Sequence, residues 1–286
     1  MTPEIIGLFD QRTNTVSYII ADKDKKVAAV IDPVWDFDAA SGRLFEESVE
    51  RIDAILTEQS LALEWILETH PHADHLSGAQ RLKDRQGGLV GIGRGICQVQ
   101  ERWREIYHLG PELACDGSQF DRLFDDGETI EVGGLTIEVM TTPGHTPACV
   151  SYRAGDGVFV GDVIFMPDFG SARADFPDGD ARQLYRSAQR LLALPEETRM
   201  FVGHDYGPGG REIAWETSVA AQRRDNKHLR DGTAEDAFVA QREARDRELS
   251  TPALLLPALQ VNIRGGHLPK AEADGRCYLK IPVDGL

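Results

Sequence analysis

Three histidines and one aspartate fall within six consecutive positions of this sequence, and this spacing constrains the fold strongly. The segment from His70 to His75 reads His-Pro-His-Ala-Asp-His and directly follows the apolar run 63–69, which we predict to be a strand. In an extended backbone His70 and His72 point the same way. His75 lies where a helix is predicted to begin, and Asp74 is a possible cap for it. Such a segment is either a solvated loop or a set of metal ligands, and its place at a strand end favours a metal.

Three more candidate ligands also follow predicted strands. They are His145 in Thr-Pro-Gly-His-Thr-Pro, Asp162 in Gly-Asp, and His204 in Gly-His-Asp. Taken singly, each is more often structural: a hydrogen-bonded turn histidine, a capping aspartate or a buried core histidine. Because strand ends on one rim of a sheet converge, the four elements together predict a metal-binding cleft at that rim.

Apolar periodicity predicts strands in two blocks, with helices between and after them. The predicted strands are residues 16–21, 27–31, 63–69, 89–92, 128–132, 135–141, 149–153, 158–160 and 200–202. The predicted helices are residues 48–61, 76–82, 181–194, 212–229 and 234–248, and residues 252–259 lead into an extended tail. This order suggests an α/β protein in which two sheets face each other with helices outside.

The charge balance and the cysteines limit the partners and the compartment. The 286 residues include 47 acidic and 31 basic side chains, a net charge of −16, so we expect neither nucleic acid nor an anionic membrane surface as a partner. No apolar run approaches the roughly 18 residues of a membrane span, and we expect no secretory leader. The four cysteines are scattered without a Cys-x-x-Cys pair, which favours reduced thiols in the cytoplasm.

The order of the histidine and aspartate motifs resembles the metallo-β-lactamase superfamily. Thr-His-x-His-x-Asp-His, Thr-Pro-Gly-His-Thr, a Gly-Asp after a buried strand and a late Gly-His-Asp follow one another between about residues 5 and 210. The resemblance implies an αββα sandwich (the metallo-β-lactamase fold) over residues 1–210, with residues 211–286 as a helical extension and tail packed on this core. It also implies two adjoining metal positions, with His70, His72 and His145 at the first, Asp74, His75 and His204 at the second, and Asp162 bridging them.

Within that superfamily, three segments resemble the persulfide dioxygenases, the family of the ethylmalonic encephalopathy protein. Residues 173–176 have the Arg-x-Asp-Phe pattern of these enzymes, and Cys149 lies near the histidine turn where they often carry a cysteine. Residues 259–266, Leu-Gln-Val-Asn-Ile-Arg-Gly-Gly, resemble the bacterial, glutathione-dependent branch. Ser-Ala at 171–172 departs from the Cys-Gly of many relatives, which bears on the packing around the following arginine.

The resemblance implies one Fe(II) per chain, bound by His70, His145 and Asp162 as a triad of two histidines and one carboxylate. The implied reaction oxidises glutathione persulfide with O2 and one water to sulfite and glutathione. The catalytic groups that would hold water and orient the metal ligands are His72, Asp74, His75 and His204. Arg173 and Asp175 are expected either to support the site or to form only a buried ion pair.

Two other classes of protein fit the same ligands. A dinuclear hydrolase of the glyoxalase II kind would cleave a thioester at two metal ions, with zinc as a possible metal. A metal-binding regulator without turnover is a third hypothesis, although seven convergent ligands favour an enzyme.

An acidic chain that binds an anionic tripeptide needs a local basic patch. The candidate cations lie beyond the last histidine motif and are Arg211, Arg223, Arg224 and Lys227. Tyr206 is a further pocket candidate. The helical segment after residue 210 is expected to form either a pocket wall or the surface of a homodimer.

Overall fold

The computed structural model describes residues 2–284, which form fifteen strands and seven α-helices. The strands are β1 (Glu4–Phe9), β2 (Val16–Asp22), β3 (Val27–Ile31), β4 (Val34–Asp38), β5 (Arg43–Phe45), β6 (Ala62–Leu67), β7 (Leu76–Ser77), β8 (Leu89–Gly93), β9 (Arg122–Phe124), β10 (Thr129–Val132), β11 (Leu135–Thr141), β12 (Val150–Ala154), β13 (Gly157–Phe159), β14 (Arg199–Phe201) and β15 (Glu216–Ser218). The helices are α1 (Glu47–Glu58), α2 (Ala79–Gln86), α3 (Ile96–Ile106), α4 (Ala181–Leu192), α5 (Val219–Asp225), α6 (Glu235–Asp246) and α7 (Leu255–Asn262).

Two six-stranded sheets contain most of the strands. The first has the order β1-β2-β3-β6-β8-β9 and the second the order β10-β11-β12-β13-β14-β15, while β5, β4 and β7 form a small third sheet. In the first sheet β3, β6 and β8 run parallel. In the second sheet β13 and β14 run parallel, and β11 shares their direction because two antiparallel pairings separate it from β13. The carboxyl ends of these strands therefore lie together at one edge of each sheet.

The apolar alternation along the strands explains why the two sheets stack. In β2, Tyr18 and Ile20 point into a core shared by the two sheets, while Ile19 and Ala21 point towards the outer helices. Phe159 of the second sheet packs edge-to-face on Tyr18, with ring centroids 5.0 Å apart. Helices α1, α2, α3 and α7 cover the first sheet, and α4, α5 and α6 cover the second. The αββα sandwich predicted from the sequence is confirmed.

Two predicted elements in the C-terminal region are wrong. Of the predicted helix 212–229 only α5 is helical, because residues 216–218 form β15 and pair with β14 at the sheet edge. Pairing with an available sheet edge outweighs a helical charge pattern. The predicted extended segment 252–259 instead contains the start of helix α7. Pro257 is tolerated there because it lies in the first turn, where a helix needs no backbone N–H.

The predicted helix 76–82 is correct only in its second half. Its first two residues pair with β4 as strand β7, and α2 begins at Ala79 after Gly78. Asp74 therefore lies too far from the helix to cap it. Helix α3 was not predicted.

The C-terminal extension, residues 211–286, contacts both halves of the sandwich over its described part. Strand β15 joins the second sheet, α5 and α6 pack on α4, and α7 lies beside β7. The division of the chain at residue 210 stays a prediction. Within residues 2–284 no helix has both the length and the apolar character needed to cross a membrane.

Candidate metal centre

Loops from both sheets meet at one rim and carry all of the predicted ligands. The loop after β6 carries four of them, and the others follow β11, β13 and β14: His70, His72, Asp74, His75, His145, Asp162 and His204. All are buried except Asp74, which is partly exposed. A left-handed backbone at Gly161 (φ +50°) brings the turn before Asp162 against Thr69, where a Cβ atom at Gly161 would collide with the threonine side chain.

His70, His145 and Asp162 converge at the centre of this rim. Nε2 of His70 lies 3.9 Å from Oδ2 of Asp162, and Nε2 of His145 lies 3.7 Å from the same oxygen. The three ligand atoms lie within 4.8 Å of one another, close enough for a single metal ion to contact all of them. Two imidazoles and one carboxylate leave part of the coordination sphere of an ion open.

His204 and Asp74 adjoin this triad. Nε2 of His204 lies 3.4 Å from Oδ1 of Asp162 and 3.6 Å from Oδ2 of Asp74. Oδ2 of Asp162 therefore faces His70 and His145, and its Oδ1 faces His204. Two further sets of ligand atoms within 4.8 Å are His72–Asp74–His75 and Asp32–Glu68–His72. The structure brings the predicted residues together, and the role of each towards a metal stays a prediction.

Four of the histidines are oriented through Nδ1. The contacts are His70 Nδ1 to Thr69 Oγ1 at 2.9 Å, and His75, His145 and His204 Nδ1 to the backbone oxygens of Leu76, Arg173 and Asn14 at 3.1, 2.8 and 3.2 Å. A carbonyl oxygen accepts only from an N–H, so the last three imidazoles, when neutral, present an unprotonated Nε2 to the site. Nε2 of His70, Nε2 of His75 and Oδ1 of Asp162 are buried without a hydrogen-bond partner in the protein. Because such atoms are costly to bury, this set of donors fits a metal ion.

Burial and the neighbouring charges together give these groups the protonation states that bind a metal. Burial lowers the pKa of His70 well below its usual range, and the neighbouring histidines lower it further. Burial also lowers the pKa of His145, and burial together with His72 lowers the pKa of His75 to about 4. For Asp74 burial alone would raise the pKa, but the surrounding histidines lower it to about 2. At neutral pH His70, His145 and His75 are uncharged and Asp74 is ionised.

His72 faces a buried acidic pair that our sequence analysis missed. Nε2 of His72 lies 3.0 Å from Oδ1 of Asp32 and 3.3 Å from Oε2 of Glu68. Burial alone would lower the pKa of His72, but the two carboxylates raise it well above its usual value. Asp32 also accepts hydrogen bonds from N and Oγ1 of Thr69, both at 2.7 Å. Asp32 directly follows β3, so a polar residue at a strand end was the signal here too.

A cavity of about 390 Å³ adjoins the metal centre. The predicted ligands at its base are Asp74, His145, Asp162 and His204, its aromatic walls are Phe165, Phe169 and Phe176, and its cationic residues are Arg173, Lys227, Arg242 and Arg245. The last three of these cations belong to the C-terminal extension. Of the two roles expected for the extension, the structure therefore gives it that of a pocket wall, and a homodimer stays a prediction.

Of the four cations predicted to admit an anionic substrate, Lys227 lines this cavity. Its Nζ lies 5.4 Å from the centroid of the Phe169 ring. The other three form salt bridges elsewhere: Arg211 with Asp168 and Asp205, Arg223 with Asp231 and Glu196, and Arg224 with Asp225. Tyr206 also lines the cavity and stacks on Phe169, with ring centroids 4.6 Å apart.

Arg173 and Cys149, which the family resemblance singled out, both contact other residues near the site. Nε of Arg173 donates to Oδ1 of Asp175 at 2.6 Å, and the guanidinium lies 4.9 Å from the centroid of the Phe176 ring.

Cys149 is buried, and burial raises the pKa of its thiol to about 12. The backbone N–H of Thr146 donates to its sulfur at 3.3 Å. Cys149 is therefore a protonated thiol at neutral pH rather than a nucleophile.

Comparison with protein families agrees with this site. The model of the metallo-β-lactamase superfamily matches residues 11–204. The chain belongs to this superfamily. A β-lactamase hydrolase-like protein of Xylella fastidiosa (strain Temecula1) is 52% identical to this superfamily member over 285 residues, which are 100% of this chain but only 66% of the relative's length. Glyoxylase B2 of Dictyostelium discoideum is 46% identical, over 95% of this chain and 94% of the relative.

Two further comparisons link this superfamily member to ETHE1 proteins. The mitochondrial persulfide dioxygenase ETHE1 of Homo sapiens is 29% identical over 202 residues, which are 70% of this chain and 67% of the relative. The crystal structure of ETHE1 from Myxococcus xanthus superposes with a TM-score of 0.74 and 31% sequence identity, covering 92% of this chain and 100% of that one. Most of the chain therefore has the fold of an ETHE1 protein.

Proposed function

We propose that this superfamily member is a glutathione-dependent persulfide dioxygenase with one Fe(II) per chain. The observation that carries the proposal is the convergence of His70, His145 and Asp162 within 4.8 Å, because two imidazoles and one carboxylate are the ligands of many non-haem Fe(II) oxygenases. The likeness to human persulfide dioxygenase and to ETHE1 of Myxococcus xanthus supports it.

In the proposed reaction, glutathione persulfide, O2 and water give glutathione and sulfurous acid, which ionises to sulfite. The sulfur–sulfur bond breaks, the outer sulfur gains three oxygens, and the electrons lost by sulfur pass to O2. Fe(II) bound at the triad would supply adjacent open coordination positions and the one-electron chemistry that dioxygen requires.

His204 is the group that we assign to proton handling. Burial alone would lower the pKa of His204, but the carboxylates of Asp162 and Asp74 raise it. Its Nε2 faces both carboxylates and its ring lines the cavity. It is therefore placed to hold the water that the reaction consumes and to protonate the departing glutathione sulfur.

The position of His72 bears on the number of metal ions. A dinuclear centre of this superfamily is expected to use His72 as a ligand, but His72 does not belong to the set formed by His70, His145 and Asp162. Its Nε2 faces the acidic pair described above, and its Nδ1 is buried without a hydrogen-bond partner in the protein. We therefore assign the single ion to the triad, and Nδ1 of His72 is the atom that a dinuclear centre would use instead.

The cavity supports an anionic thiol compound as the substrate. Lys227 and Arg245 line it in a protein whose net charge is −16, and aromatic walls are suited to the apolar atoms of a peptide. These cations would attract the carboxylates of glutathione persulfide. The four cysteines are free, which fits the reducing cytoplasm in which we place this reaction.

A dinuclear thioester hydrolase is the second candidate. All of the ligands for two metal ions gather at the rim, and two relatives bear the names β-lactamase hydrolase-like protein and glyoxylase B2. In that function, zinc at both positions would activate water for attack on a thioester carbonyl.

One experiment separates the two candidates. Full-length protein is purified without oxygen, its metals are measured by mass spectrometry, and O2 uptake and sulfite are followed after addition of glutathione persulfide. A glutathione thioester is assayed in parallel. We expect about one iron per chain and sulfite equal to the O2 consumed, as the facial-triad hypothesis requires.

The matched controls are two histidine variants. His145→Ala should abolish O2 uptake, while His267→Ala should not, because His267 is exposed, belongs to no set of candidate ligands and does not line the cavity. Two zinc ions per chain with thioester cleavage and no O2 uptake would establish the hydrolase instead.

A further inference from the structure

A single asparagine of the C-terminal extension is hydrogen bonded to the loop that carries four of the predicted ligands. Asn262, the last residue of α7, is 3% exposed and lies against the segment from His72 to Ser77. Its Nδ2 donates to the backbone oxygens of His72 and His75, both at 2.8 Å. Its Oδ1 accepts from the backbone N–H of Ser77 at 2.7 Å.

Two of these bonds satisfy the backbone oxygens of His72 and His75, which accept no backbone hydrogen bond. Both residues lie between β6 and β7 in a segment that is neither helix nor strand, so regular backbone pairing is not available to them. The chemistry fixes the orientation of the amide, since only Nδ2 can donate to two carbonyl oxygens and only Oδ1 can accept from an N–H. A buried backbone group without a partner is costly, so the amide of Asn262 holds the loop in one conformation.

Helix α6 makes an equivalent contact with residues 171–174, next to the backbone oxygen that orients His145. Asp246 and Arg242 form a buried ion pair at 2.7 Å. Oδ2 of Asp246 accepts from the backbone N–H of Ala174 at 2.9 Å, and Nη1 of Arg242 donates to the backbone oxygen of Ser171 at 3.1 Å. The two contacts flank Arg173, whose backbone oxygen lies 2.8 Å from Nδ1 of His145.

We propose that the C-terminal extension is part of the metal centre: Asn262 positions the loop of residues 70–75, and Asp246 positions the carbonyl oxygen that orients His145. Neither residue belongs to a set of candidate metal ligands, so both are positioning residues. The inference concerns metal binding alone and holds for an iron or a zinc centre, so it does not depend on the reaction proposed above. Metal ligands must be held within about 0.5 Å of their productive geometry, which side chains on an irregular loop cannot achieve by themselves.

The test of Asn262 compares two amides of the same helix. Gln260 is 1% exposed, and its side chain also makes three hydrogen bonds, but to Leu256 and Lys280 rather than to the ligand loop. Full-length Asn262→Ala and Gln260→Ala are purified with their metal, and the metal's affinity is measured by competition with a chelator. The bound metal is then replaced by Co(II), whose visible spectrum reports the coordination geometry.

We expect Asn262→Ala to bind metal about 10- to 100-fold more weakly and to change the Co(II) spectrum, as is typical when the supports of metal ligands are removed. Gln260→Ala should bind metal as the unmodified protein does. Equal affinities and equal spectra for the two variants would overturn the role of Asn262. If Asn262→Ala does not fold, Asn262→Asp replaces it, because the carboxylate keeps the acceptor for Ser77 but loses both donors. Normal metal affinity in a folded Asn262→Asp protein would equally overturn the proposal.

The test of Asp246 uses the same two measurements. Asp246→Asn weakens the ion pair with Arg242, and we expect about a 10-fold loss of metal affinity with a changed Co(II) spectrum. Asp236→Asn is the control, since it makes the same substitution on α6 at an exposed carboxylate that pairs with Arg182 of α4 rather than with residues 171–174. If both variants keep the metal equally well, α6 contributes only stability and this half of the proposal is wrong.

Discussion

The sandwich core and the C-terminal extension contribute to the metal centre in different ways. The core supplies every predicted ligand from loops at strand ends, whereas the extension supplies none and contacts the backbone of the same loops through Asn262 and Asp246. The identity of a ligand is local in the sequence. Its position depends on contacts between distant residues, since Asn262 and His72 are 190 positions apart. In such a chain the metal ligands can be recognised from the sequence, whereas the residues that position them cannot.

The largest effect should come from removing a ligand of the core. His70→Ala deletes one of three groups that converge within 4.8 Å, so we expect more than about a 100-fold loss of metal affinity, beyond the 10- to 100-fold loss typical of supporting groups. Metal content after gel filtration in the presence of chelator measures it, with circular dichroism as the check on folding. A folded His70→Ala variant that retains its full metal content would show that His70 is not a metal ligand.

The next effect concerns stability rather than ligation. Phe238 of α6 is fully buried against the outer helix of the second sheet, with its ring centroid 5.4 Å from that of Tyr185. We expect Phe238→Ala to lower the free energy of unfolding by about 3–5 kcal/mol, as for other large-to-small core substitutions. Urea unfolding should show a single transition shifted to lower urea. Two separate transitions would mean that the extension unfolds independently of the sandwich.

His204→Ala tests whether every core histidine at the rim is a ligand. In the single-metal proposal His204 faces Asp162 without belonging to the triad, so the variant should keep its metal and lose about 10- to 100-fold in turnover. Metal content and O2 uptake are measured on the same sample. Loss of one of two bound metals would contradict the proposal and favour the dinuclear hydrolase.

The smallest effect is a pH dependence that originates in the extension. Nδ1 of His228 accepts the backbone N–H of Ser171 at 3.1 Å, and burial, with a smaller contribution from Arg242, lowers its pKa to about 4. Between that value and the ordinary pKa of about 6.5, the unfolded chain holds a proton that the folded chain lacks. The free energy of unfolding therefore falls as the pH decreases through this window.

His228→Asn keeps an acceptor for Ser171 and removes the titration. We expect the variant to lose about 2 kcal/mol less stability than the unmodified protein between pH 7 and pH 5, measured by urea unfolding at both values. Parallel pH profiles for the two proteins would show that folding does not lower the pKa of His228.

The parts of the molecule that were predicted well are those determined by neighbouring residues in the sequence. Strands β3 and β11 have the predicted bounds because short apolar runs end there at turn residues. The ligands were predicted for the same reason, since each follows such a run and has side-chain chemistry that is rare in a solvated loop. Asp32 has the same position after β3, and was missed because a single aspartate before a proline is usually a turn residue.

The parts that were not predicted depend on contacts across the fold. An asparagine in a helix has no local sign of what it will contact, and the start of α7 was itself predicted to lead into an extended tail. Strand β15 exists because β14 offers an unpaired edge, which no window of the sequence around residues 216–218 can show. Asn262 and Asp246 were not predicted as positioning residues, because their roles depend on contacts with distant parts of the chain.

Strand β15 has a consequence for the solubility of the sandwich. A parallel strand at a sheet edge, such as β14 without its neighbour, presents unpaired N–H and C=O groups that recruit strands from other molecules. Here the three residues of β15 occupy that edge, and Glu216 is held by two hydrogen bonds from Arg199, at 2.6 and 2.9 Å. Short and charged, this outermost strand is a poor template for further pairing. The extension that positions the metal ligands thus also keeps copies of the sandwich from pairing at this edge of the second sheet.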